Sequence, residues 1–253
     1  MNCVRFEGFK AGLFNYLSAL AENNNEEWFV EHRFDYRSQV LAPVKSFVAE
    51  LGPVLSMLND EFETTPRIGR TISRITNDPR LHRNRLPYHP YMYVRFPRRK
   101  KRWTSEALLY AGIYSHGVSI GFYPGGYREL RTGPVQQSIR KSPRLFQRYL
   151  DEQRIAENYW ELAGGESSAV TKWPLPATAR RWVNLESFTV GEYFPATVPR
   201  LSRRSFLDTA QEVLLDLYPL WLFATSDNLK VDLESYREKA AALARPLTKV
   251  ASR

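Results

Sequence analysis

The hydrophobic period changes at Pro66, and that change limits the architectures open to this 253-residue chain. Before it, apolar residues recur every three or four positions; after it come short runs of aromatic and branched residues; from Pro134 the helical spacing returns. Leu13, Phe14, Leu17, Leu20 and Ala21 mark a helix over 11–22 that stops at Asn23-Asn24-Asn25. Asn24 with Glu27 three positions on has the form of a capping box, so a second helix is predicted over 26–40. Trp28, His32, Tyr36 and Val40 then share one face. Val44, Phe47, Val48, Leu51 and Leu55 form a third stripe after Pro43. Tyr91 to Phe96, Leu108 to Tyr114, Val118 to Tyr123 and Phe188 to Phe194 read as strands, the middle two joined by a turn at Ser115-His116-Gly117. One helix is expected from Pro134 to Leu150, a loop at Gly164 to Ser168, a helix over 203–218 and a charged helix over 232–244. Strands in the middle with helices on both sides predict an α+β fold: a single domain over 1–226, with a mostly antiparallel central sheet flanked by N-terminal and C-terminal helices, and a charged helix or tail over 227–253.

A chain of this length, 43% hydrophobic, buries enough surface to need neither metal nor disulfide, and Cys3 is its single cysteine. The first residues lack the apolar core of a signal peptide. Tyr218 to Ala224 falls far short of the ~18–20 residues of a membrane span. The expectation is a cytoplasmic protein with no membrane partner.

The charge is unevenly placed. Arg67 to Arg148 holds 18 basic residues against Asp78, Glu106 and Glu129, a surplus of 15, while the rest of the chain has 18 basic against 24 acidic residues. Such a focused field attracts polyanions: nucleic acid, nucleotide phosphates or an acidic protein.

Several blocks resemble domain-of-unknown-function family 2461, a bacterial family of conserved hypothetical proteins. They are Asn23 to Phe29 with His32, Arg33 and Tyr36; Arg74 to Arg80 followed by Pro87-Tyr88; Gly112-Ile113-Tyr114 and Gly121-Phe122-Tyr123; the helix from Gly133 to Leu150; and Arg181 to Phe194. Asn77 replaces the usual Arg, His82-Arg83-Asn84-Arg85 replaces Ser-Lys-Asp-Lys, and His89 replaces the Lys that commonly follows Pro-Tyr. The resemblance implies a cytoplasmic α+β protein with no established activity.

The densest constellation is Arg67, Arg70, Arg74, Asp78, Arg80, His82, Arg83, Arg85, Tyr88 and His89, centred on the turn chemistry of Asn77-Asp78-Pro79. Arginines offer planar bidentate donors to phosphate, and interleaved tyrosines can stack on bases. The alternative is an Arg–Asp lattice in which Asp78 pins the loop. Arg98, Arg99, Lys100, Lys101 and Arg102 followed by Trp103 form a second basic–aromatic run, expected at a hairpin tip. Trp28, His32 and Tyr36 either belong to the core or line a pocket beside the central arginines. A catalytic reading would draw on Asp78, His82, His89 and Glu106. No zinc spacing, nucleophile elbow or phosphate-binding glycine loop is present, so no metal or cofactor is expected. The leading expectation is a binder of a phosphate-bearing ligand, most readily nucleic acid, through the central loop and hairpin. A hydrolase or phosphoesterase at the same Arg/Asp/His pocket is the first alternative, and an interaction subunit for an acidic protein the second.

Overall fold

In the computed structural model, which describes residues 5–77, 86–99, 106–125, 133–166, 168–185 and 188–244, helix α1 (Ala11–Glu22) buries Leu13, Phe14, Tyr16, Leu17 and Leu20 and ends where the Asn23 N–H bonds the Ala19 carbonyl. The capping expectation shifts by one residue. Asn25, in extended backbone, accepts the Trp28 N–H at 2.9 Å and starts α2 (Glu26–Glu31), with Glu26 and Glu27 favourably placed in its first turn. Asn24 is thereby free for a long-range role described below.

The helix predicted over 26–40 is also not uniform. After α3 (Arg33–Asp35) it widens into a π-helix, Tyr36–Leu41, before α4 (Ala42–Leu58). The Ser38 hydroxyl donates to the Phe34 carbonyl, taking an acceptor that the regular ladder would use. The stretch 33–58 is long and apolar enough to cross a membrane by length and composition. Its apolar face, including Val40, Val44, Phe47, Val48, Leu51 and Leu55, is buried in the protein core.

The sheet is entirely antiparallel, its strands lying side by side in the order Tyr91–Phe96 (β1), Leu108–Tyr114 (β2), Gly117–Tyr123 (β3), Val190–Pro195 (β6), Trp160–Ala163 (β4) and Thr171–Pro174 (β5). β1 (Tyr91–Phe96) and β2 (Leu108–Tyr114) have the predicted bounds; β3 spans Gly117–Tyr123 and β6 Val190–Pro195. Two strands were not foreseen: β4 (Trp160–Ala163) and β5 (Thr171–Pro174), a hairpin around the predicted Gly164–Ser168 loop. The helix expected over 134–150 breaks into α5 (Pro134–Lys141) and α6 (Pro143–Glu152), because Pro143 has no N–H to continue the ladder. Short helices α7 (Ile155–Asn158) and α8 (Ala179–Trp182) follow.

One face of the sheet carries Met92, Val94, Phe96, Leu109, Ala111, Ile113, Val118, Ile120 and Phe122, all buried. Helix α9 (Phe206–Thr225) covers this face and buries Phe206, Leu214, Leu217, Trp221 and Phe223. Each such side chain contributes roughly 1.5–3 kcal/mol against the entropy of ordering the chain. Pro219 inside α9 cannot bond the Leu215 carbonyl, and the Tyr236 hydroxyl donates to that carbonyl instead, at 3.1 Å. Tyr236 lies on α10 (Leu229–Ala244), so the charged C-terminal helix docks where the proline leaves a backbone acceptor open.

Candidate functional site

The opposite face of the sheet is built differently. Register aligns Tyr93, Gly112 and Ser119 in one row, and Arg95, Tyr110 and Gly121 in the next. Residues directly opposite one another point to the same side, so tyrosines from three strands meet over a floor with little side-chain bulk. Tyr114 lies along its own strand: a Cβ at Gly112 would overlap the Tyr114 hydroxyl, and that hydroxyl is 3.1 Å from the Ser119 Oγ. The β4–β5 hairpin closes one side. A cavity of about 300 Å³ results, walled by Tyr93, Tyr110, Tyr114 and Tyr123 with Arg95 and Glu166 as its charged members.

The closing loop is tied down from below. Gly164 (φ +85°) and Gly165 (φ +105°) adopt backbone that other residues rarely enter, and a Cβ at Gly165 would strike the Tyr114 ring at 2.5 Å. The His116 ring stacks on Tyr114 with centroids 5.4 Å apart, and its two nitrogens reach the Tyr193 hydroxyl (2.6 Å) and the Gly165 carbonyl (3.2 Å). The Tyr93 hydroxyl donates to Glu166 Oε1 at 2.9 Å. Burial, with the neighbouring Tyr114 and the Glu166 carboxylate adding to it, pushes Tyr93 far above the ordinary phenol range. Burial likewise raises Tyr110 and Tyr114. All three are neutral hydrogen-bonding groups at physiological pH. The Arg95 guanidinium sits over the Tyr93 ring at 4.6 Å, a cation–π contact that directs it along the cavity wall.

Part of the central arginine segment pairs with β1, the strand that carries Tyr93 and Arg95. Arg95 N–H bonds the Thr71 carbonyl, Ser73 N–H bonds the Tyr93 carbonyl and His89 N–H bonds the Ile75 carbonyl, so residues 71–77 extend the sheet beyond β1. Arg67, Arg70 and Arg74 are exposed, Arg70 with an ion pair to Glu63 at 3.4 Å. Asp78, Arg80, His82, Arg83, Arg85, Lys100, Lys101, Arg102 and Trp103 lie outside the described residues.

The remaining sequence-predicted residues separate. Arg98 is paired with Glu106 at 2.5 Å, lies 3.9 Å from Glu61 and sits over the Trp221 ring, which gives it a structural role at the edge of the core. Glu106 is held by that same guanidinium. Arg99 is exposed, its N–H on the Glu61 carbonyl. The Tyr88 ring is buried in a stack on Phe29 at 4.1 Å, and the His89 ring leans on Tyr91. The Trp28 and His32 rings stack at 4.1 Å, and His32 Nδ1 is 2.9 Å from the Trp28 carbonyl. Tyr36 is buried near Tyr16, and burial raises its phenol to about 12; both hydroxyls lack a hydrogen-bond partner among the described residues. No group of three or more His, Cys, Asp or Glu suited to a metal occurs among the described residues.

Sequence reasoning missed Tyr93, Arg95, Tyr110, Ser119 and Glu166. The signal was an alternation of tyrosines with glycines, Tyr91 and Tyr93 in β1, Tyr110 to Tyr114 in β2 and Gly117 to Tyr123 in β3, that marks a face with its own surface rather than core. A second hollow, about 690 Å³, lies between α4, α9 and α10, but Asp60, Glu61, Asp227 and Asp232 outnumber its cations, opposite to what an anionic ligand requires.

These features define a basic α+β protein whose antiparallel sheet carries a helical layer on one face and a tyrosine-walled cavity on the other. A family model described as Conserved hypothetical protein (DUF2461) matches residues 12–223, and the chain belongs to that family. No curated protein gives a significant match.

Proposed function

We propose that this protein binds a phosphate-bearing ligand with an aromatic ring, a single nucleotide unit either free or within a single strand. The carrying observation is the cavity of about 300 Å³ that joins four tyrosines to Arg95. That volume sits at the small end of ligand pockets, roughly 300–1,000 Å³, and suits one ring system rather than a duplex. Among the wall tyrosines the half-buried Tyr93 and Tyr123 present ring surface for stacking, worth about 1–3 kcal/mol per base, and the guanidinium supplies a charge-assisted bond to phosphate.

Calorimetric titration of nucleosides, nucleoside monophosphates and short single strands tests this reading. A monophosphate should bind roughly 10-fold or more tightly than its nucleoside, since a hydrogen bond to a charged group contributes about 1.5–3 kcal/mol. Arg95→Met should remove that difference. Equal affinity for nucleoside and monophosphate would sink the phosphate reading.

An acidic protein partner is a second reading, supported by the exposed Arg67 and Arg74 in the basic stretch. Binding of polyglutamate that Arg67→Ser and Arg74→Ser weaken and Arg95→Met leaves intact would favour it.

A further inference from the structure

Among the described residues lining the cavity, Arg95 is the one cation and Glu166 the one acid. A carboxylate in a pocket for an anionic ligand works against binding unless the ligand meets it with a hydrogen-bond donor. Glu166 is exposed, yet its placement is specified: the Tyr93 hydroxyl holds Oε1, and the preceding Gly165 is seated on Tyr114 and tied to His116. An ionised carboxylate has about four acceptor sites, and the Tyr93 bond uses one of them.

We infer that Glu166 makes this pocket selective for a ring with two adjacent N–H donors, of the guanine type, while Arg95 meets the phosphate end; the inference rests on the nucleotide reading above. Guanine presents its ring N–H beside an amino group, a pair that matches the two oxygens of a carboxylate. Hypoxanthine keeps the ring N–H and lacks the amino group. Adenine places a bare ring nitrogen beside its amino group, so one acceptor would face another. A polar site left unpaired in this way rejects the analogue far more strongly than a missing methylene would.

The experiment is competitive titration of GMP, IMP and AMP against the wild-type protein, Glu166→Gln and Tyr93→Phe, with thermal melts confirming that each variant folds. In the wild type GMP should bind at least about 10-fold tighter than AMP, with IMP between them, as one good bidentate pair allows. Glu166→Gln should compress that ratio to roughly 3-fold or less, because a carboxamide presents one acceptor and one donor. Tyr93→Phe, which leaves the carboxylate but releases its tether, should give an intermediate ratio. Monophosphate binding without base preference in the wild type, or a preference unchanged in Glu166→Gln, would overturn the selectivity and leave the phosphate reading standing. Absence of binding by all three nucleotides and by short single strands would overturn both.

Discussion

Asn24 meets Tyr88 as one strand meets another: its carboxamide donates to the Tyr88 carbonyl at 2.8 Å and accepts the Tyr88 N–H at 3.0 Å. A side chain thus satisfies both backbone groups of a residue 64 positions away. The contact joins the N-terminal helices to the segment that leads into β1, and the Phe29–Tyr88 ring stack lies beside it.

Asn24→Ala should therefore destabilise the protein by about 1–3 kcal/mol, the cost of leaving two partly buried backbone groups without their partner. Denaturant unfolding monitored by circular dichroism would show a lower midpoint with an unchanged slope. Asn24→Asp, which keeps the acceptor and loses the donor, should fall between the two proteins.

Gly112→Ala places a methyl group against the Tyr114 hydroxyl and the Ser119 Oγ. Overpacking of this kind costs about 1–3 kcal/mol, and here it would push the Tyr114 ring into the cavity. A lower melting temperature together with weaker nucleotide binding is expected. A variant that melts lower and binds as well as wild type would show that Tyr114 relaxes away from the pocket.

Glu50 accepts two bonds from the Arg204 guanidinium, at 2.6 and 3.1 Å, and a third from the Phe6 N–H. The Arg204 hydrogen bonds, aided by the Phe6 N–H, hold its carboxyl below the ordinary value of 4.5 despite burial. An acid lowered in the folded state stabilises it above the unfolded-state value, and that stability is lost as pH falls through the folded one. Glu50→Gln should accordingly melt lower than wild type at pH 7, with the gap closing below pH 4.5 in a series of thermal melts.

Asp216 has the opposite sign. Burial, with Glu212 adding to it, raises its carboxyl above the ordinary 3.8, although the Tyr159 hydroxyl donates to Oδ2 at 2.7 Å. The folded state then holds its proton longer than the unfolded chain, so stability falls as pH rises from 3.8 through the folded value. Asp216→Asn keeps an acceptor for Tyr159 and should melt higher than wild type at pH 7 and about equally at pH 3.

Local periodicity determined much of the fold. Tyr91–Phe96 and Leu108–Tyr114 are legible as strands because alternation and side-chain type act within a few residues, and the central strands with flanking helices imply the α+β class. The segregation of positive charge between Arg67 and Arg148 is likewise a property of composition alone. Tertiary structure decided which of those charges stay exposed: Arg98 is neutralised by Glu106 and Glu61, whereas Arg67 and Arg74 remain exposed. It also decided the β4–β5 hairpin, whose four-residue strands carry too short a pattern to be read before Val190 and Gly191 pair with β4. The cavity belongs wholly to this second category. Tyr93, Tyr110, Ser119 and Glu166 lie on separate elements, and only the register of β1, β2 and β3, with the loop seated on Tyr114, brings them together. Spacing along a chain encodes which side of an element a residue takes, but the partner it meets there is fixed by pairing between distant segments, which no local period contains.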